Sequence, residues 1–177
     1  MAERALLTTE QADGTVTVAA SRWGGTDSAL AAVCAGTPPT ALPGVEWASR
    51  DTAPDFTAVV ASFDLLATEF CYRVTRTDTT VFLPLWFGLP LASVTATPAV
   101  GALLAVESLA DARLLRRRFR TLKGHLADAL LAGTLSIPAV ALALVAFVVT
   151  RSDRDRLLCA IPGESEHLSA ETGPDTP

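Results

Sequence analysis

The sequence predicts an α+β domain. Its antiparallel sheet of about five to six strands, built on two hairpins, is covered by helices mainly on one face, and the chain finishes with a helical hairpin and a short strand. Three observations carry this. The chain opens with two alternating segments, 4–10 and 15–21, separated by Gln11-Ala12-Asp13-Gly14, and Asp-Gly accepts the positive φ that tight hairpins need. Residues 111–132 place Leu115, Phe119, Leu122, Leu126 and Ala129 at helical spacing. Between that helix and the next apolar run, Gly133 is placed to end one helix and Ser136 to cap another, with Pro138 in its first turn.

The remaining elements follow in order. Residues 22–25 (RWGG) read as a turn, and Thr26 or Asp27 caps a short helix through residue 35. Residues 36–50 hold three prolines and two glycines and read as a loop. A helix is expected from Asp51 or Thr52 to about Phe63. Residues 65–75 read as a strand with Phe70, Tyr72 and Val74 on one face and Cys71 and Arg73 on the other. After a turn at 76–79, residues 80–88 pair back, and Pro84 places that strand at an edge or a bulge. Residues 100–107 form a further strand and 157–161 a last one. Residues 1–162 are expected to be one α+β domain. Residues 163–177, with four carboxylates, no Lys or Arg and almost no apolar residue, are expected to be a disordered acidic tail.

Residues 129–150 are 22 uncharged residues in a row, long enough to raise a membrane-spanning helix as an alternative. Basic residues flank the run on both sides and leave its orientation undefined. The turn at 133–136 favours instead a short second helix, 137–150, apolar on all sides and buried in the core or against a protein partner or a second copy. The opening MAERALLTTEQ lacks a long apolar run, so no signal peptide is expected.

Composition sets the class and the compartment. At 177 residues and 50% hydrophobic, the chain can build a core, which excludes a wholly disordered or collagen-like protein. The net charge is −5, and the basic residues are 13 Arg and the single Lys123. Arg in place of Lys suggests a GC-rich genome, for which codon bias alone is the plainer reading, and an acidic balance with few lysines also suits a salt-rich cytoplasm, where carboxylates keep a protein solvated. Cys34, Cys71 and Cys159 are widely spaced without a CxxC pair, and only His125 and His167 are present. Neither a disulfide framework nor a metal site is expected, and no cofactor.

Several segments together resemble an uncharacterised haloarchaeal protein family, a domain of unknown function. They are ERALLTTEQADGTVTVAASRWGG at the start, FDLLATEFCYRVTRTDTTVFLPLWFGL in the middle, and the stretch from RRRFRTLKGHLADALLAGTLS through LLCAIPGES. The shared features are an Arg-Ala-Leu strand, an Asp-Gly hairpin, Ser-x-Trp-Gly and Leu-Trp-Phe-Gly-Leu, in that order over most of 1–166. The resemblance implies a soluble haloarchaeal cytoplasmic protein and brings no activity, substrate or catalytic residue. Where the family has His before Trp, this chain has Arg22, and its second C-terminal helix is more apolar than usual.

Two surfaces are candidate sites. Arg22, Trp23, Gly24 and Gly25 form a turn before a helix N-terminus, where backbone N–H groups could hold an anion. Without GxGxxG or GxxxxGK spacing, a tight turn in which Trp23 anchors the helix to the sheet is the plainer reading. Arg113, Arg116, Arg117, Arg120 and Lys123 line one face of the long helix and could meet an acidic protein or nucleic acid. Phe119 falls on the apolar stripe, so no aromatic or amide residue shares this face for base contact, which disfavours nucleic acid, and a solvated helix face is the plainer reading here also. Asp64 with Glu69, His125 with Asp128, and Cys71 make no recognisable catalytic arrangement. There is no GxSxG, and residue 2 is Ala, so no N-terminal nucleophile follows the initiator Met. The sequence thus points to a non-catalytic interaction or accessory domain of a haloarchaeal cytoplasm. An anion-binding module, a single-span membrane protein and a hydrolase of unrecognised type are the alternatives.

Overall fold

The computed structural model describes residues 4–89 and 101–150 and the backbone of strand 157–160. The first hairpin pairs β1 (Ala5–Glu10) with β2 (Val16–Ser21), from Ala5 opposite Ser21 to Glu10 opposite Val16. Between them Asp13 Oδ1 accepts from the Thr15 amide at 3.0 Å and the Thr15 hydroxyl at 2.7 Å, and Gly14 takes φ 87°. Those hydrogen bonds hold the Asp13 carboxyl below its ordinary pKa. The chain continues through α1 (Asp27–Cys34) to β3 (Ala48–Ala53) and α2 (Phe56–Ala61). It then runs through β4 (Phe70–Val74), β5 (Thr79–Trp86) and β6 (Gly101–Val106) to α3 (Leu109–Leu131), α4 (Ile137–Val149) and β7 (Leu157–Ala160).

The α+β class is observed, with strand order β3-β2-β1-β4-β5-β6-β7. All neighbours are antiparallel except β1 and β4, which run parallel from Ala5–Phe70 to Thr9–Val74. The sheet is therefore mixed, where an antiparallel one was expected. One meander, β1 to β3, grows outward in one direction and a second, β4 to β7, in the other. The chain must return from the edge at β3 to the centre, and the segment carrying α2 makes that return.

Three expectations are corrected. The loop expected over 36–50 ends in β3, whose side chains are almost all exposed, so no apolar alternation marks it. It is held by the ladder to β2, and Arg50 and Asp51 on it blunt a sheet edge. The helix expected from Asp51 or Thr52 begins instead at Phe56, because Asp55, not Asp51, accepts the Ala58 amide as N-cap. The strand expected over 65–75 is confined to Phe70–Val74, with Asp64 closing a turn through the Leu66 and Ala67 amides.

β5 is an interior strand, contrary to the edge that Pro84 suggested. Its ladder to β4 stops at Phe82, however, and Pro84 pairs only with Leu103 of β6. The proline thus sits where the strand has one neighbour, and its missing N–H is tolerated there.

Two apolar layers sandwich the sheet. On one face Leu30, Phe70, Tyr72, Leu83 and Leu104 meet α1, α3 and α4. On the other, Cys71, Phe82 and Leu103 meet Phe56, Val59 and Val60 of α2. The alternation read for 70–74, with Phe70 and Tyr72 opposed to Cys71, is the one observed.

The C-terminal helices fold as a hairpin. Gly133 has φ 70°, and the Thr134 amide donates back to Ala129 O at 2.9 Å, a glycine-ended helix terminus. Ser136 accepts from the Ala139 amide, and Pro138 occupies the first turn of α4. α4 has 13 residues, about 20 Å at about 1.5 Å per residue. No helix among the described residues is long and apolar enough to cross a membrane. The acidic segment 163–177 lies outside the described residues.

Candidate functional site

The RWGG turn is built from its neighbours' hydrogen bonds. Ser21 Oγ accepts from the Trp23 and Gly24 amides, both at 3.3 Å, and the Thr26 amide donates to Trp23 O. Those amides are therefore used inside the turn and are not presented to an anion. Trp23 is 56% exposed and does not anchor α1, contrary to the sequence reading. Gly24 is the anchor. A Cβ there would lie 2.8 Å from the Trp47 ring, and Gly24 O accepts the buried Tyr72 hydroxyl at 2.7 Å. Trp47 meets Tyr72 edge to face at 6.0 Å, with its indole N–H donating to Pro39 O. Arg22 is exposed on the rim of this cluster.

The basic face of α3 divides by position around the helix. Of the predicted stripe, Leu115, Phe119 and Leu126 are buried against the sheet and α4, Leu122 and Ala129 are half-buried, and Ala112 joins the buried face. Arg116 and Lys123 flank this stripe and are drawn inward. Arg116 pairs with Glu69 at 2.7 Å and lies 4.5 Å over the Phe70 ring. Arg113 pairs with Asp27 of α1. Arg117, Arg118 and Arg120 face water. Among the described residues these three make no ion pair.

Lys123 is different from the arginines. Its Nζ donates to Trp86 O at 3.1 Å and stands 4.4 Å from the Trp86 ring and 5.7 Å from the Phe119 ring. Burial without a carboxylate lowers its pKa from 10.5 to about 8. Lys123, Arg120, Arg116 and Glu69 converge with Trp86 and Leu66 on a cleft of about 440 Å³ between α3 and the end of β5. The sequence reading found the cations and missed Trp86. Trp86 enters the sequence reading only through the strand 80–88 and the Leu-Trp-Phe-Gly-Leu resemblance, and nothing local in sequence joins it to residue 123.

Asp64 with Glu69, and His125 with Asp128, do not assemble into a site. Asp64 serves its own turn, Glu69 serves Arg116, and His125 and Asp128 are exposed on α3. Cys71 is fully buried on the α2 side of the sheet, and burial pushes its thiol from 9 up to about 12. Tyr72 is also pushed up, by burial first. Both groups stay neutral in the folded chain at pH values where they ionise in the unfolded one. The Cys71 contribution is thus fully present below about pH 9 and lost as pH rises through about 12, and that of Tyr72 has the same sign. Lys123 acts in the opposite sense between about 8 and 10.5, but it is partly solvated and its effect is screened. Denaturant unfolding is therefore expected to show stability falling from about pH 9 upward, with a shallower fall in Cys71→Val. An unchanged slope in the variant would assign the alkaline loss elsewhere.

α4 forms the other feature of note. Val140, Leu144 and Val148 are buried on α3, and Phe147 stacks on Phe119 at 5.6 Å, which in turn meets Phe87 at 6.1 Å. Away from that stripe, Leu142 at 69% and Val149 at 53% exposure face water with Val145 beside them, while Ile137, in line with the stripe, is 66% exposed in the first turn. The helix, expected to be buried in the core or against a partner, is thus covered on one side by the described residues of this chain. One layer of α3 cannot surround a helix that is apolar throughout its circumference.

Among the described residues no cluster of His, Cys, Asp and Glu could hold a metal. The fold and these surfaces define the class as an α+β domain with a half-covered apolar helix and a cationic cleft. No protein-family model, curated protein or solved structure matches the chain.

Proposed function

We propose that this chain is a non-catalytic interaction domain of a salt-rich haloarchaeal cytoplasm, and that it assembles with a second copy of itself through α4. The observation that carries this is the row Leu142, Val145 and Val149, large apolar side chains left in water along a helix without one charged residue. A second copy fits for an electrostatic reason. The chain carries net charge −5, so copies repel, and the repulsion is weakest where a face has no charge. A two-fold pairing of α4 on α4 sets apolar surface on apolar surface without a like-charge conflict. Molar salt screens the remaining repulsion and strengthens apolar association. The 13 Arg against one Lys, and the resemblance of the motif order to a haloarchaeal family, support the compartment.

Sedimentation equilibrium in molar KCl tests this. The expected mass is twice 18.5 kDa, and Leu142→Glu with Val145→Glu should return a monomer with an unchanged circular dichroism spectrum. A wild-type monomer at all concentrations, or a dimer indifferent to both substitutions, overturns the proposal. So does a monomer that sediments with lipid vesicles through α4.

A further inference from the structure

The cleft between α3 and the end of β5 carries an inference of its own, which does not depend on assembly through α4. Its cationic groups come from one helix face. Arg116, Arg120 and Lys123 are spaced four and three residues apart, so they stack along one side of α3. Arg116 is neutralised by Glu69, its carboxylate partner among the described residues, at 2.7 Å. Lys123 and Arg120 have no carboxylate among the described residues. Two positive charges are therefore left uncompensated in one concavity of a chain whose net charge is −5.

Their surroundings are unusual for free charges. The Lys123 ammonium is held between the Trp86 and Phe119 rings, and one of its three donors goes to Trp86 O. Its position over the indole is set by packing. Gly88 lies so close under the Trp86 ring that a Cβ at residue 88 would overlap it. The apolar wall continues through Leu65, Pro84 and Leu66, the last 70% exposed at the rim. A volume of about 440 Å³ suits a small molecule. The cleft thus offers two positive charges at one side and an aromatic and aliphatic wall at the other.

We propose that this cleft binds a phosphate monoester bearing an apolar body, with Lys123 and Arg120 on the phosphate and Trp86 and Leu66 along the body. The charge count selects the class. A phosphate monoester carries close to two negative charges at neutral pH, matching the two unpaired cations, whereas a carboxylate matches one. Arginine forks suit phosphate oxygens, and the half-buried ammonium regains a counter-charge.

Calorimetric titration of the full chain with phenyl phosphate, in potassium glutamate at neutral pH, tests the proposal. Saturable binding of one molecule per chain is expected. Lys123→Gln should weaken it at least tenfold and Arg120→Gln several-fold, each with an unchanged melting profile. Phenol lacks the charge, inorganic phosphate lacks the body and benzoate lacks the second charge, so each should bind at least several-fold more weakly. Binding should also fall between pH 7 and pH 9.5 as Lys123 loses its proton. Phosphatidic acid vesicles carry the same chemistry on a lipid. Retention by them, lost in both variants, would place the ester on a headgroup, and binding of phenyl phosphate alone would place it in solution. No saturable binding of either ester, equal binding of inorganic phosphate, or wild-type affinity in both variants overturns the proposal.

Discussion

Phe70→Ala is expected to destabilise the chain by about 3–5 kcal/mol, the range for removing a fully buried aromatic ring. Phe70 is 0% exposed and starts β4, the strand that pairs parallel with β1. Its ring packs in the layer under α1 and α3 and supports the Arg116 guanidinium at 4.5 Å. Removing it empties a site whose strand is held in the ladder to β1 and which cannot collapse freely. Urea unfolding should show the midpoint fall with little change in slope, and Phe70→Leu should recover most of the loss. A loss below about 1 kcal/mol in Phe70→Ala would mean that the β1–β4 seam is not where this core is held.

Gly101→Val is expected to be comparably damaging for a different reason. Gly101 pairs with Trp86 at the start of β6, and a Cβ there would collide with the Leu85 carbonyl oxygen and with Leu65 Cδ1. The first obstacle is backbone inside a ladder and cannot rotate away. Insertion into such a site costs about 3 kcal/mol or more once the strand has to shift. Because the displaced residues are Leu85 and Trp86, the same substitution should also weaken phenyl phosphate binding in the cleft. Gly124→Ala, with open space around the site on exposed α3, is the control and should be stable. A Gly101→Val chain with wild-type stability would show that β5 and β6 are not in this register.

The two substitutions probe parts of the fold that were unequally legible in the sequence. Elements whose own residues repeat at a structural period were read correctly. These include the hairpin at Asp13-Gly14, the Phe70–Tyr72–Val74 alternation, the α3 stripe and the Gly133–Ser136 turn. In each the deciding interaction lies within a few residues: a cap, a positive φ, or a side chain one turn away. β3 was not legible, because its exposed residues carry no alternation and its existence depends on β2 lying alongside. The parallel pairing of β1 with β4 was not legible either, since it depends on how the chain returns from the edge through α2.

The candidate sites divide in the same way. The cationic face of α3 is a property of helical spacing and could be listed from sequence alone. Which of its members are free could not. Arg113 meets Asp27 from α1, Arg116 meets Glu69 from the turn before β4, and Lys123 meets Trp86 from β5. Trp23, conspicuous beside two glycines, is largely solvated, while Gly24 and Trp47 do the packing.

By itself the sequence determined the α+β class, the helical hairpin in place of one long apolar helix, and the charge of α3. Those follow from periodicity, capping and composition, which act over a few residues. Only the tertiary structure decided that β4 joins β1 in parallel, that α4 is covered on one side, and that Lys123 shares a cleft with Trp86. Those depend on contacts between segments far apart in the chain, and no local preference of either segment specifies its distant partner.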